Sequence, residues 1–211
     1  ARRAWPASRT NRWHWPALTV GSAVPIAEAR AQADLVSWLS GMTPRRLPLD
    51  DAVARLAAAT LAEHVGPGAH VNIGTGLPEH VARMLGAAGL HEQLTLLVES
   101  GPVGGLPAGG VYFGAAFSPT RIISSAEMFA RCYARLDATC LGVLELDGMG
   151  NVNVSRRSDG PRDYVGPGGF IDLPSAARTS VFVSGWMVHG EMVREDGLVR
   201  VRRRGAPKLV A

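Results

Sequence analysis

The residue in this chain whose type and setting invite chemistry is Glu99. It follows Leu94-Thr95-Leu96-Leu97-Val98, an apolar and β-branched run that reads as a short strand buried on both faces. Directly after it come Gly101, Gly104, Gly105, Gly109 and Gly110, with Pro102 and Pro107, so the backbone beside the carboxylate is expected to lack side-chain cover and to admit close approach. In open α/β sheets ligands bind outside the carboxyl ends of the strands. A carboxylate is ionised at neutral pH and needs no base to become a nucleophile, whereas a water or a serine does. Attack on a thioester carbonyl would then require only close approach and donors for the developing oxyanion, and glycine loops can supply both. From spacing alone two roles stay open: this nucleophile, or a strand-end glutamate that is solvated or anchors neighbouring N–H groups.

Other chemistry is thinly represented. Glycine loops recur at 74–76 and 166–169. The first begins a GxG, but a dinucleotide fingerprint would need a third glycine where Glu79 stands, and there is no GxxxxGK[ST] phosphate loop. A GxG opening a helix still offers N–H groups to an anion or an oxyanion. The histidines (His14, His64, His70, His80, His91, His189) show no ligand spacing, so no metal centre is expected. No GxSxG elbow occurs, and Cys132 and Cys140 lack a nucleophile's context. Asp147 and Asp172 read as turn and cap residues.

The elements that must position Glu99 can be read in order. Asp50 and Asp51 open a helix carried by Val53, Leu56, Ala57, Thr60 and Leu61 and closed by Gly66. Residues 71–73 form a strand running into Gly74-Thr75-Gly76, and Pro78 suits the first turn of a helix through Val81, Ala82 and Leu85. With the 94–98 strand this makes a βαβ unit. A short strand over 121–124, a helix over 126–136, strands over 141–146 and 152–155, and a buried strand over 179–184 follow. Asp196-Gly197 marks a hairpin within 191–203. The fold class expected is α/β, a mainly parallel sheet flanked by helices with an antiparallel C-terminal end.

The chain divides at about residue 47. Residues 1–46 hold four of the 5 tryptophans, with several prolines and arginines and room for a helix over 26–39, and read as an extension or linker of unassigned role. Residues 47–211 read as the folded domain. Hydrophobic content of 46% and charged content of 19% over 211 residues suit a globular chain, and no apolar run approaches the ~18 residues of a membrane span. The net charge of +4 comes largely from arginines near the two ends, without interleaved base-stacking residues, so neither nucleic acid nor membrane is an expected partner. Two cysteines without a framework spacing fit a cytoplasmic location.

Four ordered segments, VNIGTGLPEHVA, TLLVESGPVGGLPAGGVYFGAAFSP, LDGMGNVNVSRR and GPGGFIDLP, resemble the C-terminal half of the family I CoA-transferases, especially the single-chain acetate and propionate type, related to the β subunit of 3-oxoacid CoA-transferases. The resemblance spans roughly 48–210 and implies a CoA-transferase-like (NagB/RpiA-like) fold. It implies that Glu99, in the ESG motif, is the nucleophile of ping-pong transfer of coenzyme A between a short-chain acyl-CoA and a carboxylic acid, through a glutamyl-CoA thioester. It implies backbone donors around Gly74, Thr75, Gly76, Gly168 and Gly169, and substrate or CoA contacts at Asn153, Gly101, Gly104 and Gly105. Coenzyme A is then a substrate, with no permanently bound cofactor. The partner is a homo-oligomer mate or a complementary half, since members of this type carry an N-terminal half that contributes to the cleft. The chain departs from the family at EMFARCYARLDATCLG, where relatives have a glycine-rich turn. An acyl-CoA thioesterase and a non-catalytic subunit or interaction module are the alternatives.

Overall fold

The computed structural model describes residues 48–157 and 166–210; the 1–46 segment, with the helix expected over 26–39, lies outside the described residues. Helix α1 (Pro48–His64) carries Asp50 and Asp51 in its first turn, where carboxylates complement the unpaired N–H groups. It buries Ala54, Ala57, Ala58 and Leu61, the i, i+3, i+4, i+7 stripe of a helix lying on a core. Strand β1 (His70–Ile73) leads through the 74–76 loop into α2 (Leu77–Ala87), which has Pro78 in its first turn. Strand β2 (Thr95–Leu97) returns parallel to β1, with Val71 opposite Leu96 and Asn72 opposite Leu97. The expected βαβ unit is present.

Four two-residue strands follow: β3 (Pro102–Val103), β4 (Leu106–Pro107), β5 (Ala116–Phe117) and β6 (Arg121–Ile122). Helix α3 (Ser125–Ala134) starts where the Ser124 hydroxyl accepts the Glu127 N–H at 3.2 Å. It is succeeded by β7 (Leu136–Gly142), β8 (Glu145–Asp147) and β9 (Val152–Asn153), and then by α4 (Asp172–Ala176) and β10 (Ala177–Val183). The C-terminal strands are β11 (Met187–Val188), β12 (Glu191–Glu195), β13 (Leu198–Arg203), β14 (Ala206–Pro207) and β15 (Leu209–Val210).

The central sheet has the order β10-β7-β1-β2-β3-β6. Strands β10, β7, β1 and β2 are mutually parallel, while β3 is antiparallel to both β2 and β6. The expected antiparallel end is the β12–β13 ribbon, turned by Asp196 and Gly197, both at positive φ as a two-residue hairpin loop demands.

Two expectations are corrected. Leu136 belongs to β7 and not to the preceding helix, and the single strand expected over 141–146 is two, β7 and β8. Arg135, at φ −161°, turns the chain from helix to strand with no intervening loop. The start of β7 also carries Asp137 and Thr139, whose side chains bond the His70 N–H (2.8 Å) and Asn72 (3.0 Å), so its polar residues masked an interior strand.

The sheet is covered on both faces. Val71, Ile73, Leu96, Ala138 and Cys140 pack with α1 and α2. Leu97, Val103, Leu136 and Leu141 pack with Met128 and Cys132 of α3 and Leu173 of α4. Leu96 and Leu97 therefore face opposite layers, as the two-residue period of a strand requires.

Candidate active site

Glu99 lies two residues beyond the end of β2, at the tip of a tight turn closed by the Gly101 N–H donating to the Val98 carbonyl at 2.9 Å. The Val98 N–H in turn donates to the Pro102 carbonyl at 3.1 Å, where β3 departs. Gly101 has φ +130°, and a Cβ there would lie 2.0 Å from the Ile123 carbonyl oxygen, so the turn can close only on glycine. The Ser100 hydroxyl donates to the Gly114 carbonyl, tying the tip to the far end of the glycine stretch.

Glu99 is half-buried, and its Oε2 accepts the Gly169 N–H at 3.0 Å. Burial pushes its carboxyl above the ordinary carboxylate range; the Gly169 N–H works against this, and the nearby Asp172 carboxylate adds to it. A Cβ on Gly169 would stand 2.7 Å from Glu99 Oε2 and 2.8 Å from the Phe129 ring, and one on Gly168 would stand 3.7 Å from the same oxygen. Glu99, Gly168 and Gly169 are thus brought together. The Gly169 carbonyl accepts the N–H groups of Asp172 (3.1 Å) and Leu173 (2.9 Å) at the start of α4, which ties the residue whose N–H meets Glu99 to that helix.

The 74–76 loop leaves the C-terminal end of β1, next to β2 in the sheet, so it opens on the same edge as Glu99. Two of its three donors are spent. Gly74 donates to the Cys140 carbonyl at 2.8 Å, and Gly76 to Glu79 Oε1 at 2.8 Å. The other Glu79 oxygen takes the Gly110 N–H at 2.7 Å, so Glu79 staples two glycine loops together. The Thr75 N–H has no acceptor among the described residues, and Thr75 is exposed.

The expectation that glycine leaves open backbone around 101–105 is corrected. Beside Gly101 stands Ile123; a Cβ on Gly104 would meet Thr120 Oγ1 at 2.9 Å, and one on Gly105 the Phe117 carbonyl at 2.1 Å. The chain itself fills that room. Asn153 lies on β9, exposed, with its Nδ2 donating to Glu145 Oε2 at 2.8 Å, while Glu145 is buried. Asp147 is the turn residue expected, accepting the N–H groups of Met149 and Asn151.

Residues outside the expected site also belong here. Asp172, expected as a cap and found in the first turn of α4, opposes the ionisation of Glu99, and its Oδ1 accepts the Tyr133 hydroxyl. Its place within GPGGFIDLP was the available signal. Tyr133 and Phe129, in the stretch that departs from the family, carried none. Cys132 on the same helix has its thiol pushed up to about 11 by burial and by the Glu99 charge, and stays protonated at neutral pH.

No family model matches the chain. It is 33% identical over 167 residues to the caffeate CoA-transferase of Acetobacterium woodii, covering 77% of this chain and 31% of that protein. The crystal structure of the acyl-CoA transferase YdiF apoenzyme from Escherichia coli O157:H7 superposes with a TM-score of 0.62 at 25% identity, over 78% of this chain and 31% of that one. A second YdiF structure, a thioester complex with CoA, gives a TM-score of 0.61 at 24% identity over 74% of this chain and 29% of that chain. The chain therefore spans about a third of the length of the relatives it matches. In sequence and in fold, and with its four motifs in one order, the chain is similar to CoA-transferases over about a third of their length.

Proposed function

We propose that this chain carries the nucleophilic part of a transferase that moves coenzyme A between an acyl-CoA and a carboxylic acid, with Glu99 forming the covalent intermediate. The observation that supports it most is the setting of Glu99: a half-buried carboxylate with one oxygen on a backbone donor and its basicity raised by burial. Partial desolvation makes a carboxylate a better nucleophile without a separate base. With Oε2 on Gly169, Oε1 attacks the thioester carbonyl; the carbonyl π electrons move to oxygen, and CoA thiolate leaves as the acyl-glutamyl anhydride forms. The thiolate then attacks the Glu99 carbonyl, expelling the donor carboxylate and leaving a glutamyl-CoA thioester, and an acceptor carboxylate runs the sequence backwards.

Two backbone donors suit these oxyanions. The Gly169 N–H serves the Glu99 carbonyl oxygen, and the Thr75 N–H, free of acceptors among the described residues, serves the substrate carbonyl. Asn153 is a candidate contact for the CoA moiety through its amide oxygen. A short-chain acyl donor, a partner providing the other part of the cleft, and a cytoplasmic setting that keeps Cys132 and Cys140 as free thiols complete the proposal. The thioester complex reported for YdiF, a relative in fold, agrees with the covalent step.

The test is an intact-mass measurement on the chain and on Glu99→Gln after incubation with acetyl-CoA or propionyl-CoA, alone and with a candidate complementary half. A CoA-sized adduct mapped to Glu99 and absent from the variant is expected. Absence of any adduct under both conditions in folded protein would overturn the assignment. Release of the adduct by water as fast as by acceptor acid would make the activity a thioesterase.

A further inference from the structure

Asp172 and Tyr133 take no part in the chemistry just described, yet hydrogen bonds connect them to the residue that holds Glu99. Asp172 is the first residue of α4, and its main-chain N–H holds the Gly169 carbonyl at 3.1 Å. Its side chain accepts the hydroxyl of Tyr133, which projects from α3 and is 59% exposed. The result is a continuous path of hydrogen bonds: Tyr133 hydroxyl to Asp172 carboxylate, Asp172 N–H to Gly169 carbonyl, Gly169 N–H to Glu99 Oε2. On its other flank the 166–171 loop is held by packing, Phe170 stacking on Phe182 of β10 at 5.6 Å between ring centroids. The polar link ties the same segment to α3.

Resting on the transferase assignment for its catalytic meaning, we propose that Tyr133 and Asp172 are positioning residues. Tyr133, through Asp172, locks the start of α4 to α3 and so aims the Gly169 N–H at Glu99. The described charged and titratable groups around Glu99 are few. Asp172 of α4 faces it; on α3, Cys132 is neutral below its value of about 11, and Arg131 acts on Cys132. Burial remains the larger influence on Glu99, so Asp172 is an adjustment and not the origin of its basicity.

The two roles separate by substitution. Tyr133→Phe removes the lock and keeps the charge. Asp172→Asn removes the charge, keeps the backbone N–H to Gly169, and keeps an amide oxygen for the Tyr133 hydroxyl. In the full chain, the Gly169 amide resonance reports both, since it bonds the titrating carboxylate. Tyr133→Phe is expected to raise solvent exchange of the Gly169 amide about 10-fold or more while core β1 and β7 amides are unmoved. Asp172→Asn is expected to shift the midpoint of the Gly169 amide titration to lower pH with its exchange rate preserved. The acid limb of thioester formation shifts the same way, and Tyr133→Phe slows that step about 10-fold, within the cost of a misaimed donor. Unchanged Gly169 exchange in Tyr133→Phe, or an unmoved or raised midpoint in Asp172→Asn, overturns the proposal. Both amide readouts hold without turnover, so a CoA adduct absent both from the wild-type chain alone and with a complementary half refutes the transferase assignment while the pair is still decided.

Discussion

The Gly169 N–H reaches Glu99 Oε2 at 3.0 Å across 70 positions of sequence, and the space on the Gly169 side of that bond is closed by the Phe129 ring. A methyl group has nowhere to go. Gly169→Ala would put Cβ 2.7 Å from the carboxylate oxygen and 2.8 Å from the ring, so Glu99 or Phe129 must shift. The rate of CoA adduct formation is expected to fall about 10²-fold or more, the usual cost of a displaced oxyanion donor, with the melting temperature little changed. Adding Phe129→Leu should return part of the rate. A wild-type rate in Gly169→Ala would show that the chemistry does not use this arrangement.

Cys132 supplies an electrostatic probe of the same carboxylate. Burial and Glu99 together hold its thiol at about 11, against an ordinary 9.0. Reactivity follows the thiolate fraction, so alkylation of Cys132 near pH 8 should run ~100-fold slower than that of an exposed thiol. Glu99→Gln removes one of the two causes. Mapped alkylation rates should therefore rise at Cys132 in that variant and stay fixed at Cys140, whose value of about 12 comes from burial alone.

Much of this was legible in the sequence, for reasons that differ by element. The β1-α2-β2 unit could be read because apolar runs, a glycine loop and Pro78 agree locally, and Glu99 follows the second strand at its C-terminal end. The start of β7 was not legible, because Asp137 and Thr139 are satisfied by residues 67 positions earlier, a cross-strand fact invisible to periodicity. Glycines 101, 104 and 105 looked like openings for a ligand because sequence shows the missing side chain and not the neighbour that requires it. Asp172 was legible only in part, for a similar reason. Its local role, opening a helix, was readable, but its nearness to Glu99 depends on packing of α4 against α3.

The polar link inside the sheet should matter for stability. Asn72 and Thr139 are both buried; Thr139 donates to Asn72 Oδ1 at 3.0 Å and Asn72 donates to the Leu97 carbonyl at 3.2 Å. The link joins β7, β1 and β2 just below Glu99. Asn72→Leu strands two buried polar groups and should cost about 1–3 kcal/mol in urea unfolding. Thr139→Val added to it removes one of those orphans, so the double variant should be less destabilised than the sum of the singles. Strict additivity would mean that the two side chains are not energetically joined.

Asp137 gives the stability its pH dependence at the opposite end of the sheet. Burial alone would raise its carboxyl, but the His70 N–H at 2.8 Å and the guanidiniums of Arg135 and Arg178 outweigh this and hold it below its ordinary 3.8. A carboxyl with a lower value in the folded chain than in the unfolded one binds fewer protons when folded. Its stabilising contribution is therefore complete above the ordinary value and is lost as pH falls through the lowered folded value. Glu99 has the opposite sign: its raised value makes folding less favourable as pH climbs above the ordinary carboxylate range, so the wild-type profile alone mixes the two. The difference between wild type and Asp137→Asn isolates one of them. That variant should lose about 1 kcal/mol at pH 7, the scale of a hydrogen bond to a charged group in a partly exposed site. Chemical unfolding repeated toward lower pH should show the gap narrowing, and it should close once Asp137 is protonated in both states. A gap that stays constant into strong acid would mean that the carboxylate's charge contributes nothing and that shape alone explains the loss.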